Sequence, residues 1–159
     1  MTALILQGTN EVKGIVVNFH EDDDIPLNAD SFSGMKNLEI FINKHGTLSG
    51  DTLNYLSNKL RVIEWNNCQL QYLPSYFHPK ELVVFDMRWS RIRQLGKGFK
   101  NLAKLTSLNL RDSGFLEKIP DFSGMENLKY LKVTDCTSLI EVYPSVGFLD
   151  KLVTLDFSQ

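Results

Sequence analysis

The sequence predicts an α/β solenoid: a curved horseshoe with short parallel strands on its concave face and an irregular, 3-10 or short helical convex side. Two observations carry this reading. The heptapeptide Phe32-Ser33-Gly34-Met35-Lys36-Asn37-Leu38 returns almost unchanged as Phe122-Ser123-Gly124-Met125-Glu126-Asn127-Leu128. Each copy leads into a segment with apolar residues at positions 1, 4 and 6. That triplet recurs as Leu60/Ile63/Trp65, Leu82/Phe85/Met87, Leu105/Leu108/Leu110, Leu128/Leu131/Val133 and Leu152/Leu155/Phe157, with first residues 22, 23, 23 and 24 positions apart.

A period of about 20–29 residues is that of leucine-rich repeats. Residues 1–11 read as a junction preceding the array. Residues 12–159 read as the leucine-rich-repeat domain, about six to seven repeats that continue past the last residue given. Upstream, Val12/Ile15/Val17 fits the template, and Leu38/Phe41 fits it with Asn43 in the third place. Positions 4 and 6 are two apart, so on a strand both point to one face while position 5 points to the other. After each strand the apolar pattern resumes at Cys68/Leu70/Leu73, Ser90/Ile92/Leu95, Ser113/Leu116/Ile119 and Cys136/Leu139/Val142. Pro74, Pro120 and Pro144 then block further pairing and turn the chain towards the convex side. Phe32, Leu56, Phe77, Phe99, Phe122 and Leu149 are expected to fill the core from behind. The last strand, Leu155-Asp156-Phe157, carries no polar cap of the kind terminal repeats need.

Cys68 and Cys136 hold the same repeat position three repeats apart, with Ser90 and Ser113 between them in the column. Strands about 4.8 Å apart put the two positions roughly 14 Å from each other. A disulfide needs Cα atoms within about 7 Å. The column therefore reads as a buried spine whose small side chains bond to the backbone of the next loop. No Asn lies in a glycosylation sequon, and with no disulfide framework this favours a reducing compartment. The opening apolar run Ala3-Leu4-Ile5-Leu6 is too short for a signal peptide or a membrane span. A formal charge of −2 supplies no single-sign field for nucleic acid or an acidic membrane.

The stretch Tyr55-Leu56-Ser57-Asn58-Lys59-Leu60-Arg61-Val62-Ile63-Glu64-Trp65, followed by Leu73-Pro74-Ser75-Tyr76-Phe77, resembles the early repeats of plant TIR-NBS-LRR disease resistance proteins. Further matches are Ser90-Arg91-Ile92-Arg93-Gln94-Leu95, Pro120-Asp121-Phe122-Ser123 and Cys136-Thr137-Ser138-Leu139-Ile140-Glu141-Val142-Tyr143-Pro144-Ser145. The opening Gly8-Thr9-Asn10-Glu11-Val12-Lys13-Gly14-Ile15 resembles the junction where that family's repeats begin. A Trp commonly follows the Leu at position 95 in the family, and here the residue is Gly96. The resemblance implies a protein-interaction module of an intracellular immune receptor, cytoplasmic or nuclear. Its partners would be a pathogen effector or guarded host protein, and the receptor's own nucleotide-binding domain. It implies no cofactor. The NAD-cleaving and ATP/ADP-switching activities of the family belong to domains whose motifs do not occur here. Two other readings stay open: a free-standing adaptor, and a regulatory piece of an NAD-cleaving receptor.

Residues flanking the inward strand positions are expected on the concave face. Position 5 gives Glu64, Asp86, Asn109, Lys132 and Asp156; position 7 gives Asn66, Arg88, Arg111, Thr134 and Ser158. Position 8 adds Trp89, Asp112 and Asp135, and position 3 adds Val62, Val84, Ser107, Tyr130 and Thr154. Glu64, Asp86, Arg88, Trp89, Arg111, Asp112, Tyr130 and Lys132 form the expected partner-binding patch, because Arg, Trp and Tyr are enriched at binding hot spots. The competing reading is a solvated face whose charges neutralise one another, worth about 0–1 kcal/mol per pair. The acidic run His20-Glu21-Asp22-Asp23-Asp24 lacks the ligand spacing and glycine of a calcium loop. The basic residues Arg88, Arg91, Arg93, Lys97, Lys100 and Lys104 are spread over strand, turn and return, so they form no single stripe. His20, His45 and His78 lie in different repeats with no nucleophile beside them, so no catalytic site is expected.

Overall fold

The computed structural model describes residues 8–158. The first seven residues of the junction expected over 1–11 lie outside them. Among the described residues nine short strands form: β1 Gly14–Val17, β2 Asp24–Pro26, β3 Ile40–Asn43, β4 Thr47–Ser49, β5 Val62–Trp65, β6 Val84–Asp86, β7 Ser107–Asn109, β8 Tyr130–Lys132 and β9 Thr154–Asp156. Seven of them build one parallel sheet in the order β1-β3-β5-β6-β7-β8-β9. Its register repeats the sequence template without a slip. The position-4 residues Ile15, Phe41, Ile63, Phe85, Leu108, Leu131 and Leu155 are successive register partners. A slip of one residue would turn every one of them from core to solvent. The fold is the leucine-rich-repeat solenoid that the spacing predicts.

The core lies behind the sheet. Leu60, Ile63, Trp65, Leu82, Phe85, Met87, Leu105, Leu108, Leu110, Leu128, Leu131 and Val133 are all buried. Phe32, Leu56, Phe77, Phe99 and Phe122 close the core from the return side, and Leu149 does so in part. The aromatics meet edge to face, with Phe32 and Phe41 centroids 5.1 Å apart, Phe41 and Trp65 5.0 Å apart, and Phe85 and Phe99 4.9 Å apart. The returns are irregular, with 3-10 turns at Lys97–Phe99, Phe122–Gly124 and Pro144–Phe148. The duplicated heptapeptide needs its glycine for close approach. A Cβ at Gly34 would collide with the Gly8 carbonyl, and one at Gly124 with the Lys100 carbonyl and the Asn101 side chain.

Four details depart from the sequence template. A second parallel pair, β2 with β4, joins the segments that follow β1 and β3, and the acidic run expected as a loop ends inside it at Asp24. Asn43 sits fully buried in the position-6 column, beside its register partner Trp65. Its Oδ1 and the Trp65 Nε1 have no hydrogen-bond partner. Leu155 is half exposed, and so is Val142, because the last repeat has no neighbour beyond it among the described residues. The Cys-Ser-Ser-Cys column is buried, and its bonds run to the preceding repeat. Ser113 Oγ donates to the Met87 carbonyl at 3.1 Å, and Cys136 Sγ to the Leu110 carbonyl at 3.2 Å. Both cysteines are free.

Candidate functional site

The strand face opposite the core carries positions 3 and 5 in straight rows set by the register. Val62, Val84, Ser107, Tyr130 and Thr154 form one row, and Glu64, Asp86, Asn109, Lys132 and Asp156 the other. Position 7 does not present a complete row. Arg88 and Arg111 reach solvent, but Asn66 and Thr134 are buried. The Asn66 amide nitrogen donates to the Lys44 carbonyl at 3.1 Å, which draws that side chain inward.

Most charges of the expected patch are paired. Arg88 Nε lies 2.9 Å from an Asp86 oxygen, and the Asn109 amide donates to the other Asp86 oxygen at 3.1 Å. Arg111 meets Asp112 at 3.3 Å, and Lys44 meets Glu64 at 3.7 Å. Glu64 and Asp86 are register partners, as an acidic corner requires, yet each is answered by a neighbouring cation. Lys132 sits between Asn109 and Asp156 in its row. Hydrogen bonds from the Ser158 hydroxyl and the Ser158 N–H hold the Asp156 carboxyl below the usual carboxylate range.

Position 8 forms the lip of this face and repeats a backbone device. Asn67, Trp89, Asp112 and Asp135 all have positive φ, between 54° and 58°. Each donates its N–H to the position-7 carbonyl of the next repeat: Asn67 to Arg88, Trp89 to Arg111, Asp112 to Thr134 and Asp135 to Ser158, at 2.9–3.0 Å. Asn and Asp enter the left-handed region with little penalty, whereas other L-residues do so at about 1–2 kcal/mol. Trp89 is the misfit of the column. The residue is 49% exposed, and the Arg88 guanidinium stands over its ring 5.3 Å from the centroid. A cavity of about 420 Å³ opens beside the ring, bounded by Lys44, His45, Glu64 and Asn67.

Sequence reasoning missed an apolar strip in the early part of the same face. Val16 and Ile40 are 71% and 40% exposed, with Ile42, Val62 and Val84 alongside them. The position-3 and position-5 columns, extended past the irregular Asn43 repeat, would have found it. Among the described residues no group of three or more His, Cys, Asp or Glu side chains could hold a metal ion, and no helix is long and apolar enough to cross a membrane.

Known proteins resemble this chain over most of its length. It is 36% identical over 154 residues to the disease resistance protein RPS6 of Arabidopsis thaliana, an overlap that takes in 91% of the chain and 14% of that protein. It is 37% identical over 156 residues to the Arabidopsis thaliana protein SUPPRESSOR OF npr1-1, CONSTITUTIVE 1, covering 96% of the chain and 11% of the relative. With the disease resistance protein RPV1 of Vitis rotundifolia the identity is 38% over 102 residues, 64% of the chain and 7% of that protein. The chain is a leucine-rich-repeat region of the plant TIR-NBS-LRR disease resistance family. No family model matches the sequence, and no solved structure matches it. This disease-resistance repeat region spans between 7% and 14% of the length of the curated relatives it matches.

Proposed function

We propose that this repeat region recognises a protein through its strand face, and that the residues gathered around Trp89 make the decisive contacts. The observation that carries the reading is the misfit of Trp89 in the left-handed column. Three equivalents are Asn or Asp, which suit that backbone; the fourth is a large aromatic held there at a cost and left half exposed. A stability requirement alone favours Asn or Gly at that place, so the ring is retained for what it touches. Arg88 over it, and the Arg111–Asp112 pair next to it, give a polar rim around an aromatic centre, the anatomy of a binding hot spot. Tyr130 and Lys132 extend the same face two repeats further on, and Glu64 and Asp86 border it upstream.

In a full-length receptor the partner is a pathogen effector or a guarded host protein, met in the cytoplasm or nucleus. Before that encounter the face contributes contacts to the receptor's nucleotide-binding domain that hold it inactive. An effector that prefers the active arrangement shifts the population towards it by its differential affinity. This region acts by binding and takes no cofactor; NAD cleavage and nucleotide switching belong to other domains of such a receptor.

The test is a leaf cell-death assay with the full-length receptor and its matching effector. Trp89→Ala and Arg111→Glu are expected to abolish or sharply reduce the response at equal protein accumulation. A full response from both variants would remove these residues from the recognition surface.

A further inference from the structure

Away from the strand face, the returns are joined by a second row of backbone bonds. The Arg93 N–H donates to the Gln71 carbonyl at 2.9 Å, Glu117 to Arg93 at 2.9 Å, and Ile140 to Glu117 at 3.0 Å. Bridges between Tyr72 and Gln94 and between Lys118 and Glu141 continue it. Three residues beyond this row the equivalent positions are Pro74, Gly96, Pro120 and Tyr143. A ring stands at three of the four. At Gly96 there is a notch: a Cβ built there meets nothing within 4 Å.

Open cavities of about 440 and 420 Å³ lie on the Pro74 and Pro120 sides of the notch, and Leu95, Gly96 and Lys97 line both. Leu95 and Ile119 are buried beneath it, while Tyr72 and Tyr143 stand half exposed at its two ends. The rim is cationic. Lys118 is engaged by Glu141 at 3.1 Å, but neither Lys97 nor Lys100 has a carboxylate within 4.0 Å among the described residues. Both lysines are exposed.

We propose that this groove binds an extended acidic segment of a partner protein, with one aromatic side chain seated over Gly96 and carboxylates against Lys97 and Lys100. The slot is bounded by prolines and tyrosines, surfaces on which a flat ring packs well. Among the described residues Lys97 and Lys100, neither of them in an ion pair, set the complementary charge, and Asp121 is the one carboxylate lining the groove on the Pro120 side. Nucleic acid is the poorer fit, because two lysines neutralise only about two phosphates, far short of the six to ten contacts of a strong binder. The groove shares no residue with the strand-face patch, so it stands or falls independently of that surface.

The probe is a fluorescein-labelled hexapeptide, Glu-Asp-Glu-Trp-Glu-Asp, titrated with the full 159-residue chain at low salt and followed by anisotropy. Saturable binding is expected, and the Lys97→Glu/Lys100→Glu double variant should weaken it by at least about tenfold. Gly96 has φ 77° and ψ 174°, a backbone region that glycine alone occupies readily, so Gly96→Asn places a side chain in the notch at a cost in stability. That variant should weaken the Trp peptide and leave a Trp-to-Ala peptide unchanged. Circular dichroism melts confirm that each variant is folded, and Trp89→Ala, in the other surface, should leave peptide affinity intact. Absence of saturable binding, or insensitivity of folded chains to the lysine and glycine changes, overturns the proposal. So does an oligothymidylate of equal charge that binds as tightly as the peptide.

Discussion

Cys68 is fully buried, and burial pushes its thiol from the ordinary value of 9.0 up to about 12, only partly offset by the hydrogen bond from Leu70. Burial also raises Cys136. The unfolded chain loses its thiol proton near pH 9 while the folded chain keeps it, so stability is full below that pH and falls as pH rises towards 12. The decline per thiol approaches about 1.4 kcal/mol per pH unit. Urea midpoints at pH 8 and pH 10.5 should therefore fall less in Cys68→Ala than in the parent chain; equal falls would place the thiol in water. The inward column to which Cys68 belongs was legible in the sequence, because apolar and small residues recur at one spacing. The left-handed column one position earlier was not. Asn67, Asp112 and Asp135 are the residue types that announce it, but Trp89 in their midst hides the pattern. Asn66 was equally illegible, since its inward turn depends on the Lys44 carbonyl, which the sequence does not locate; Thr134 is buried with its hydroxyl unpartnered.

Adjacent repeats are tied by more than their strands. Ser113 Oγ donates to the Met87 carbonyl, receives the Ser90 N–H at 3.3 Å, and lies 2.9 Å from the Ser90 hydroxyl. All of these groups lie inside the molecule, so Ser113→Ala strands a donor and an acceptor without access to water. The cost should be about 1–3 kcal/mol, seen as a lowered thermal midpoint with unchanged far-ultraviolet dichroism. A midpoint equal to the parent's would mean that the serine column only fills space. At this scale the long sheet follows directly from the 1, 4, 6 triplets. The β2–β4 pair does not, because strands of three residues carry too little alternation to stand out from a loop. The apolar strip of Val16, Ile40 and Ile42 escaped for a related reason. Asn43 broke the template at the repeat that would have joined it to Val62 and Val84.

Each repeat of the solenoid contacts chiefly its neighbours, so stability is close to a sum of local terms and a substitution at one lip is felt mainly there. The molecule can then carry a strained residue on its binding face without distorting the register of the sheet. Trp89 is that residue, and its neighbours in the column show what the backbone itself favours. The most direct measurement is a paired one on Trp89→Asn: the thermal midpoint of the chain, and the affinity of the full-length receptor for its effector. Relief of the left-handed strain should keep or raise the midpoint, by up to about 1–2 kcal/mol in stability, while affinity falls at least about tenfold, as at a hot spot. A lowered midpoint with unchanged affinity would make Trp89 a packing residue and contradict recognition through this face.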